Sequence, residues 1–507
     1  MTNHFIKWMT FTGLILMVVM ANIDATIVNL ALPDIGNYLN IPLSSMQWVV
    51  NMYLLVTMAT FVLGGKLGDV YGRRKIYLIG IIVFIVGSAL AGLANNQWHM
   101  YLGRGIQGFG FALTFTTVII LITSMFPASR RGAIMGITLV FSGMSQAIGP
   151  SVGGVILHYL DWRWIFFINV PLGLISFAIT WFFCPKGLVE RKDESIDYIG
   201  AALLAIGSGL MVTGLNEINH WGLKNIDLYC VFVGGLVFMA LFIWHSLRQK
   251  EPLIQMHFFR NRPYVAVNIV RAIFMYNYVM LLFILPIYLQ NILNYSALHA
   301  SYFLLAMTLV FGGSSPFIGR WLDTVSARFS ISVSVIVLML SLLLFAISPF
   351  ILTTTTLILG LVLTGIGVAI NINATITAAM TEIPEEQQGV GMGLFYTLTF
   401  FGGSVGIALS GSIVGLVSRI HIINHTANTA LTQYIEPLRL AASGARSITD
   451  LQQELPANLF QQALPLVQQS FSIAFAAVMG LSLVLTLLSL YYCRRLPNNS
   501  TKSVDAS

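Results

Sequence analysis

Apolar residues in this chain gather into long unbroken runs of roughly 20 positions, as in 76–94 and 331–350, separated by short polar turns. There is no sustained alternation of the kind that barrel strands of about 10 residues require. In lipid only helices and closed barrels satisfy their own backbone hydrogen bonds, and a crossing helix needs about 20 apolar residues. The pattern therefore predicts an all-α integral membrane protein. Fourteen runs are expected to cross, at about 11–32, 46–64, 76–94, 98–124, 132–157, 164–184, 197–216, 227–247, 264–289, 299–318, 331–350, 355–380, 390–418 and 466–492.

Composition agrees with that solvent. Charged residues make up 9% of the 507 positions and hydrophobic ones 57%, against about 25% charged in soluble domains. With the N-terminus placed in the cytoplasm, 19 of the 26 Lys and Arg fall in inner segments and five in outer ones. This is the cation bias of cytoplasmic loops, and it holds only for an even number of spans. Both termini are thus expected to be cytoplasmic. The net charge of +7 reads as a topology signal and requires no nucleic-acid partner. The first run is expected to be retained, because it is longer than a signal-peptide core and carries Asp24. Cys184, Cys230 and Cys493 form neither a disulfide framework nor a metal-ligand spacing.

Two parts of the chain repeat. Gly65-Lys66-Leu67-Gly68-Asp69-Val70-Tyr71-Gly72-Arg73-Arg74-Lys75 lies between the second and third runs, and Gly319, Asp323 and Arg328 keep the spacing of its Gly, Asp and Arg further on. Pro127, Gly132, Met135 and Gly136 line up with Pro384, Gly389, Met392 and Gly393; Gly108, Gly110 and Gly149 line up with Gly365, Gly367 and Gly406. Spans 2–5 therefore correspond to spans 10–13, which predicts a 6 + 2 + 6 arrangement. The expected parts are an N-terminal six-helix bundle over 1–190, two inserted helices and linkers over 191–262, a C-terminal six-helix bundle over 263–495 with an outer loop at 419–465, and a cytoplasmic tail at 496–507. Repeated bundles of this kind are common among transporters.

Five motifs in order make a resemblance specific. Asp24-Ala25-Thr26-Ile27-Val28-Asn29-Leu30-Ala31-Leu32-Pro33-Asp34-Ile35 stands in the first span, and the Gly65–Lys75 turn follows the second. Leu102-Gly103-Arg104-Gly105-Ile106-Gln107-Gly108-Phe109-Gly110 lies in the fourth. Gly143, Gly149-Pro150 and Gly153-Gly154 lie in the fifth, and Trp162-Arg163-Trp164-Ile165-Phe166-Phe167-Ile168-Asn169-Val170-Pro171 enters the sixth. Together they resemble the fourteen-span drug:proton antiporters of the major facilitator superfamily, from about residue 20 to 410. The resemblance implies the major facilitator fold, export of lipophilic drugs or toxic small molecules, and proton coupling through Asp24 and Arg104. It implies a conformational latch at Gly65, Asp69, Gly72 and Arg73, with a weaker copy at Asp323 and Arg328. It also implies an antiporter motif or hinge at Gly143, Gly149, Pro150, Gly153 and Gly154.

The residues support several of these roles on their own chemistry. A carboxylate in mid-span is costly unless it is paired, protonated or wet, whereas a guanidinium keeps its charge. Asp24 and Arg104 are thus expected to face one another; a structural ion pair fits the same residues. Leu361 occupies the place of Arg104 in the second repeat, so the coupling is expected in one half only. Gly65, Gly68 and Gly72 suit close approach and unusual backbone angles, and Asp69 suits the N-terminus of a helix in the other half. The span-5 glycines suit a close crossing, with Pro150 interrupting the backbone ladder. Gln107, Gln146, Asn268, Arg271, Asn371, Asn373 and Tyr396 are the expected cavity-lining polar residues. Arg271 fits either the cavity, where it favours anionic substrates, or a snorkel toward the inner surface.

No phosphate-binding loop and no metal-ligand cluster occurs in the sequence, so neither an enzyme, a cofactor nor a primary pump is expected. The energy source is expected to be the proton gradient. The expected partners are a lipophilic small molecule, protons, the lipid bilayer and, through the outer loop, a periplasmic adaptor protein, with location in the inner or plasma membrane of a bacterium. A dedicated exporter of one organic acid, fatty acid or siderophore fits the same features. A non-transporting receptor or scaffold also fits, and it predicts that Asp24 and Arg104 are dispensable.

Overall fold

The computed structural model describes residues 3–41, 43–126, 128–186, 195–222, 225–322, 324–351, 354–383, 388–427 and 429–496. The N-terminal half contains α1 (Asn3–Leu39), α2 (Leu43–Tyr71), α3 (Arg73–Gly92), α4 (Gln97–Met125), α5 (Ala128–Tyr159), the short α6 (Trp164–Phe167) and α7 (Asn169–Phe183). The inserted pair is α8 (Tyr198–Trp221) and α9 (Ile226–Arg248). The C-terminal half contains α10 (Arg262–Ile287), α11 (Ala297–Leu322), α12 (Ala327–Ile351), α13 (Thr354–Thr381), α14 (Gln388–Thr426) and, after α15 (Ile435–Ala442) and α16 (Ile448–Glu454), α17 (Ala457–Cys493). Thirteen helical segments among the described residues are long and apolar enough to cross a membrane, with α6 and α7 acting as one. α5 lies outside that count; its 32 residues reach about 48 Å at 1.5 Å per residue.

Close glycine crossings build each half in the same way. A Cβ on Gly108 of α4 would stand 2.5 Å from the Tyr53 carbonyl of α2, and one on Gly365 of α13 would stand 2.3 Å from the Met307 carbonyl of α11. Gly149 and Gly153 of α5 press on Thr26 and Ile27 of α1, while Gly402 and Gly406 of α14 press on the Ala272 and Tyr276 carbonyls of α10. With no hydrophobic drive between helices in lipid, such backbone contact is a main source of packing energy. Pro150 does not end α5, which continues to Tyr159.

The halves meet along two seams. At α5 and α11, a Cβ on Gly154 would stand 2.4 Å from the Ser301 hydroxyl. At α2 and α14, Thr397 donates to the Met58 carbonyl (3.2 Å), Ser404 donates to Asn51 (2.8 Å), and Phe61 meets the rings of Tyr396 (5.8 Å) and Phe400 (5.1 Å). The inserted pair packs over this second seam. Asn51 of α2 donates to Asn216 of α8 (3.3 Å), Trp48 donates to Glu217 (3.2 Å), and Ser412 of α14 donates to the Leu215 carbonyl. α9 turns Val233, Leu236, Val237, Leu241 and Trp244 outward, as a lipid-facing helix does.

α14 and α17 run beyond the apolar runs that announced them, to Thr426 and back to Ala457. The segment between them, expected as an outer loop, holds the short helices α15 and α16. Leu431, Leu438, Leu451 and Leu455 bury their side chains against Ile422 and Val467 of the two long helices.

Candidate functional site

Asp24 is fully buried and Arg104 is 1% exposed, and they face each other with Nη1 2.9 Å from Oδ2. The second carboxylate oxygen, Oδ1, accepts from Gln107 Nε2 and from Asn169 Nδ2, both at 2.8 Å. Arg104 also donates through Nε to the Val49 carbonyl (2.9 Å) and through Nη1 to Gln107 Oε1, and its guanidinium lies 4.4 Å from the Tyr53 ring centroid. Ser88 of α3 accepts from Gln107 at 2.8 Å. The knot joins α1, α2, α3, α4 and α7, all in the N-terminal half. Charge is balanced and each carboxylate oxygen is bonded, which is the condition under which a buried pair is tolerated.

Gln107, expected in the substrate cavity, is instead a bridge within this knot. Its i, i+3 spacing from Arg104 on one helix face makes the bridge possible. Asn169 belonged to a recognised motif without an assigned contact, and Ser88 and Val49 carried no signal in the sequence. Tyr53 and Asn51 of α2 are buried inside the bundle.

At the inner turn, Asp69 Oδ1 accepts from Arg73 Nη2 at 2.8 Å and Nε at 3.1 Å. Gly72 caps α3 with φ 94°, a backbone that an L side chain rarely adopts. A Cβ on Gly68 would touch Thr117 (2.9 Å), whereas one on Gly65 or on its counterpart Gly319 would meet nothing within 4 Å. The close approach expected at Gly65 is therefore absent there, and within the first turn it falls at Gly68 instead. Arg328 donates to the Leu496 carbonyl at 2.9 Å. Asp323 lies outside the described residues, as do the side-chain surroundings of Gly143 and Gln146, whose backbones belong to α5.

The expected cavity residues separate into two groups. Asn373 folds back on the Ala369 carbonyl (2.7 Å), and Asn371 donates to Ser334 of α12 (3.1 Å). Arg271 and Tyr396 come together. Arg271 is 4% exposed, so it does not snorkel to the surface, and its Cζ lies 5.8 Å from the Phe395 ring centroid. The phenols of Tyr278 and Tyr396 are within its electrostatic reach. Its Nε and Nη1 have no hydrogen-bond partner among the described residues. Asn268, one turn earlier, donates to the Tyr264 carbonyl (2.8 Å).

Outside the membrane spans, Asp197 ties the inner ends of the inserted pair together. It accepts from the Gly200 amide (2.7 Å) and the Leu253 amide (3.1 Å), and lies 2.8 Å from His245 Nε2. Burial pushes its carboxyl up, but the Gly200, His245 and Leu253 contacts outweigh that and hold it below the ordinary value.

Two repeated helical halves, one of them holding a buried charge knot, define a multi-pass membrane protein of the transporter class. The chain belongs to the Major Facilitator Superfamily, whose family model matches residues 14–407. It is 31% identical over 395 residues to multidrug resistance protein Stp of Mycobacterium tuberculosis (strain CDC 1551 / Oshkosh), covering 77% of this chain and 73% of the relative. It is 30% identical to the riboflavin transporter RibZ of Clostridioides difficile (strain 630), covering 64% and 69%. It is also 30% identical to multidrug resistance protein 3 of Bacillus subtilis (strain 168), covering 59% and 58%. The fold is similar to that of a bacterial homolog of the human lysosomal transporter Spinster in an inward-facing conformation, with TM-score 0.66, 12% identity, and coverage of 97% and 98% of the two chains.

Proposed function

We propose that this transporter is a proton-coupled antiporter that exports lipophilic drugs or other toxic small molecules by alternating access, with fourteen crossings and both termini in the cytoplasm. The observation that carries the reading is the buried Asp24–Arg104 knot in one half only. A proton and the Arg104 guanidinium compete for the same carboxylate. A movement that draws α1 from α4 frees Asp24 to take a proton, and the reverse movement expels it. One charge moving down 100 mV supplies about 2.3 kcal/mol, and one pH unit about 1.4 kcal/mol. The relatives named as multidrug resistance proteins support the substrate breadth. The turn at Asp69 and Arg73 is proposed to latch the inner side when the halves close, engaging Gly65.

Efflux of ethidium and of the neutral dye Nile red from energised cells tests the reading. Both dyes should leave faster from cells making the protein. An uncoupler, or the Asp24→Asn variant at matched membrane expression, should abolish the difference. Efflux that persists in the variant sinks the role of Asp24. If neither dye moves while an organic acid does, a dedicated metabolite exporter replaces the drug exporter. The unpartnered Arg271, together with a relative named as a riboflavin transporter, favours that second reading.

A further inference from the structure

Arg271 is a permanent charge for which the described residues of its half offer no counter-charge. Its Nε and Nη1 are unbonded among the described residues, and the side chain is more than nine-tenths buried. The sequences of α10, α11, α12, α13, α14 and α17 contain no Asp or Glu at all. Asp24, the carboxylate of α1, is committed to Arg104 in the opposite half. Neighbouring groups give dipoles and ring faces: Phe395 at 5.8 Å, Tyr278 and Tyr396 within electrostatic reach, and Asn268 on the same helix face. A buried cation without an anion is strongly disfavoured, so a stable fold that keeps one implies an anion supplied by something other than the chain.

The surroundings also describe the rest of that partner. Tyr396, adjacent to Phe395 on α14, meets Phe115 of α4 at 5.0 Å and Phe61 of α2 at 5.8 Å. Phe400 lies 5.1 Å from Phe61 and 6.0 Å from Phe111. These rings come from both halves and meet at the boundary that alternating access must open. Parting them exposes an aromatic wall with the Arg271 guanidinium beside it.

Resting on the exporter reading above, we propose that Arg271 anchors the acidic group of those transported molecules that carry one, amphipathic organic acids whose apolar body lies against Phe61, Phe115, Phe395 and Tyr396. Fixed positive charge and polarisable ring faces together select an anion with an aromatic or lipophilic body over a cation of the same size.

The test is direct binding to the purified full-length protein, read as thermal stabilisation, with three matched probes: naphthalene-1-sulfonate, 1-naphthalenemethanol and 1-naphthylmethylammonium. The sulfonate should stabilise the protein at concentrations at least tenfold below those needed by the other two. Arg271→Met should remove that preference, and Arg271→Lys should keep part of it. Equal response to the three probes, no response to any, or a preference that survives in Arg271→Met overturns the proposal. So does a response reproduced by sodium chloride alone, which would leave the naphthyl body without a role. The probe series on the unaltered protein decides the question even where Arg271→Met does not fold. Sulfonate binding without uncoupler-sensitive efflux would refute the exporter and spare the site. Proton-driven efflux of ethidium without sulfonate binding would do the reverse.

Discussion

Breaking the Asp24–Arg104 pair from either side should cost more than removing both charges together. In Asp24→Asn, Oδ1 keeps its bonds from Gln107 and Asn169, but an amide N–H or a neutral oxygen replaces the charged oxygen that sits 2.9 Å from Arg104 Nη1. The guanidinium, 1% exposed, is then buried without a counter-charge. In Arg104→Met the carboxylate keeps two amide donors, and the Val49 carbonyl loses its partner. Removing one member of a buried pair costs about 3–5 kcal/mol. The double variant Asp24→Asn/Arg104→Met leaves no charge in the knot. Its destabilisation should fall short of the sum of the singles by at least ~2 kcal/mol, a factor of roughly 30 in the folding equilibrium. Titrating purified variants with SDS in mixed micelles gives the three free energies of unfolding needed for the cycle. Additivity to within about 0.5 kcal/mol would show that the two residues do not sense each other, and the coupling argument would fall with it.

Two further expectations concern the inner face. Gly72→Ala should destabilise the protein by about 1–2 kcal/mol, the cost of a side chain in a left-handed backbone, whereas Gly65→Ala should change stability by less than about 0.5 kcal/mol; the same micelle titration checks both, and a costly Gly65→Ala would place a neighbour where none is seen. Asp197 is held below the ordinary carboxylate value of 3.8, so its contribution is present at neutral pH and is lost as pH falls through its lowered pKa. Stability measured from pH 7 to pH 3 should therefore drop less steeply in Asp197→Asn than in the unaltered protein, and parallel curves would exclude that contribution.

Much of the helix layout was legible because lipid imposes a simple rule: each expected run falls on a helix to within two residues at either end, with 164–184 falling on α6, α7 and the residues flanking them. What the runs missed were the polar ends. α14 and α17 extend past the apolar stretch, and hydropathy marks only what lies in hydrocarbon. Charges inside apolar runs announced Asp24, Arg104 and Arg271 as unusual. Their partners were harder to read, since helix rotation and tilt depend on neighbours distant in sequence. Ser88 is the one serine in span 3, but nothing local says that it will meet Gln107 nineteen positions later. Gln107 was drawn to the cavity because a buried amide resembles a ligand contact until its two neighbours are in place. For Arg271 the charge was visible, but the missing partner was not, because that is a property of the helices packed around it.

The position of α8 has a consequence for the bilayer. Its outer half is fastened to α2 through Asn216 and to α14 through Leu215, and α9 lies outside it with its apolar side chains turned to the acyl chains. The seam between α2 and α14 is thereby shuttered against lipid. The opposite seam, where Val155 of α5 and Tyr302 of α11 are exposed, carries no such cover. On the exporter reading proposed above, a molecule dissolved in the membrane would reach the junction of the halves from one flank alone, and the inserted pair would make sideways entry one-sided.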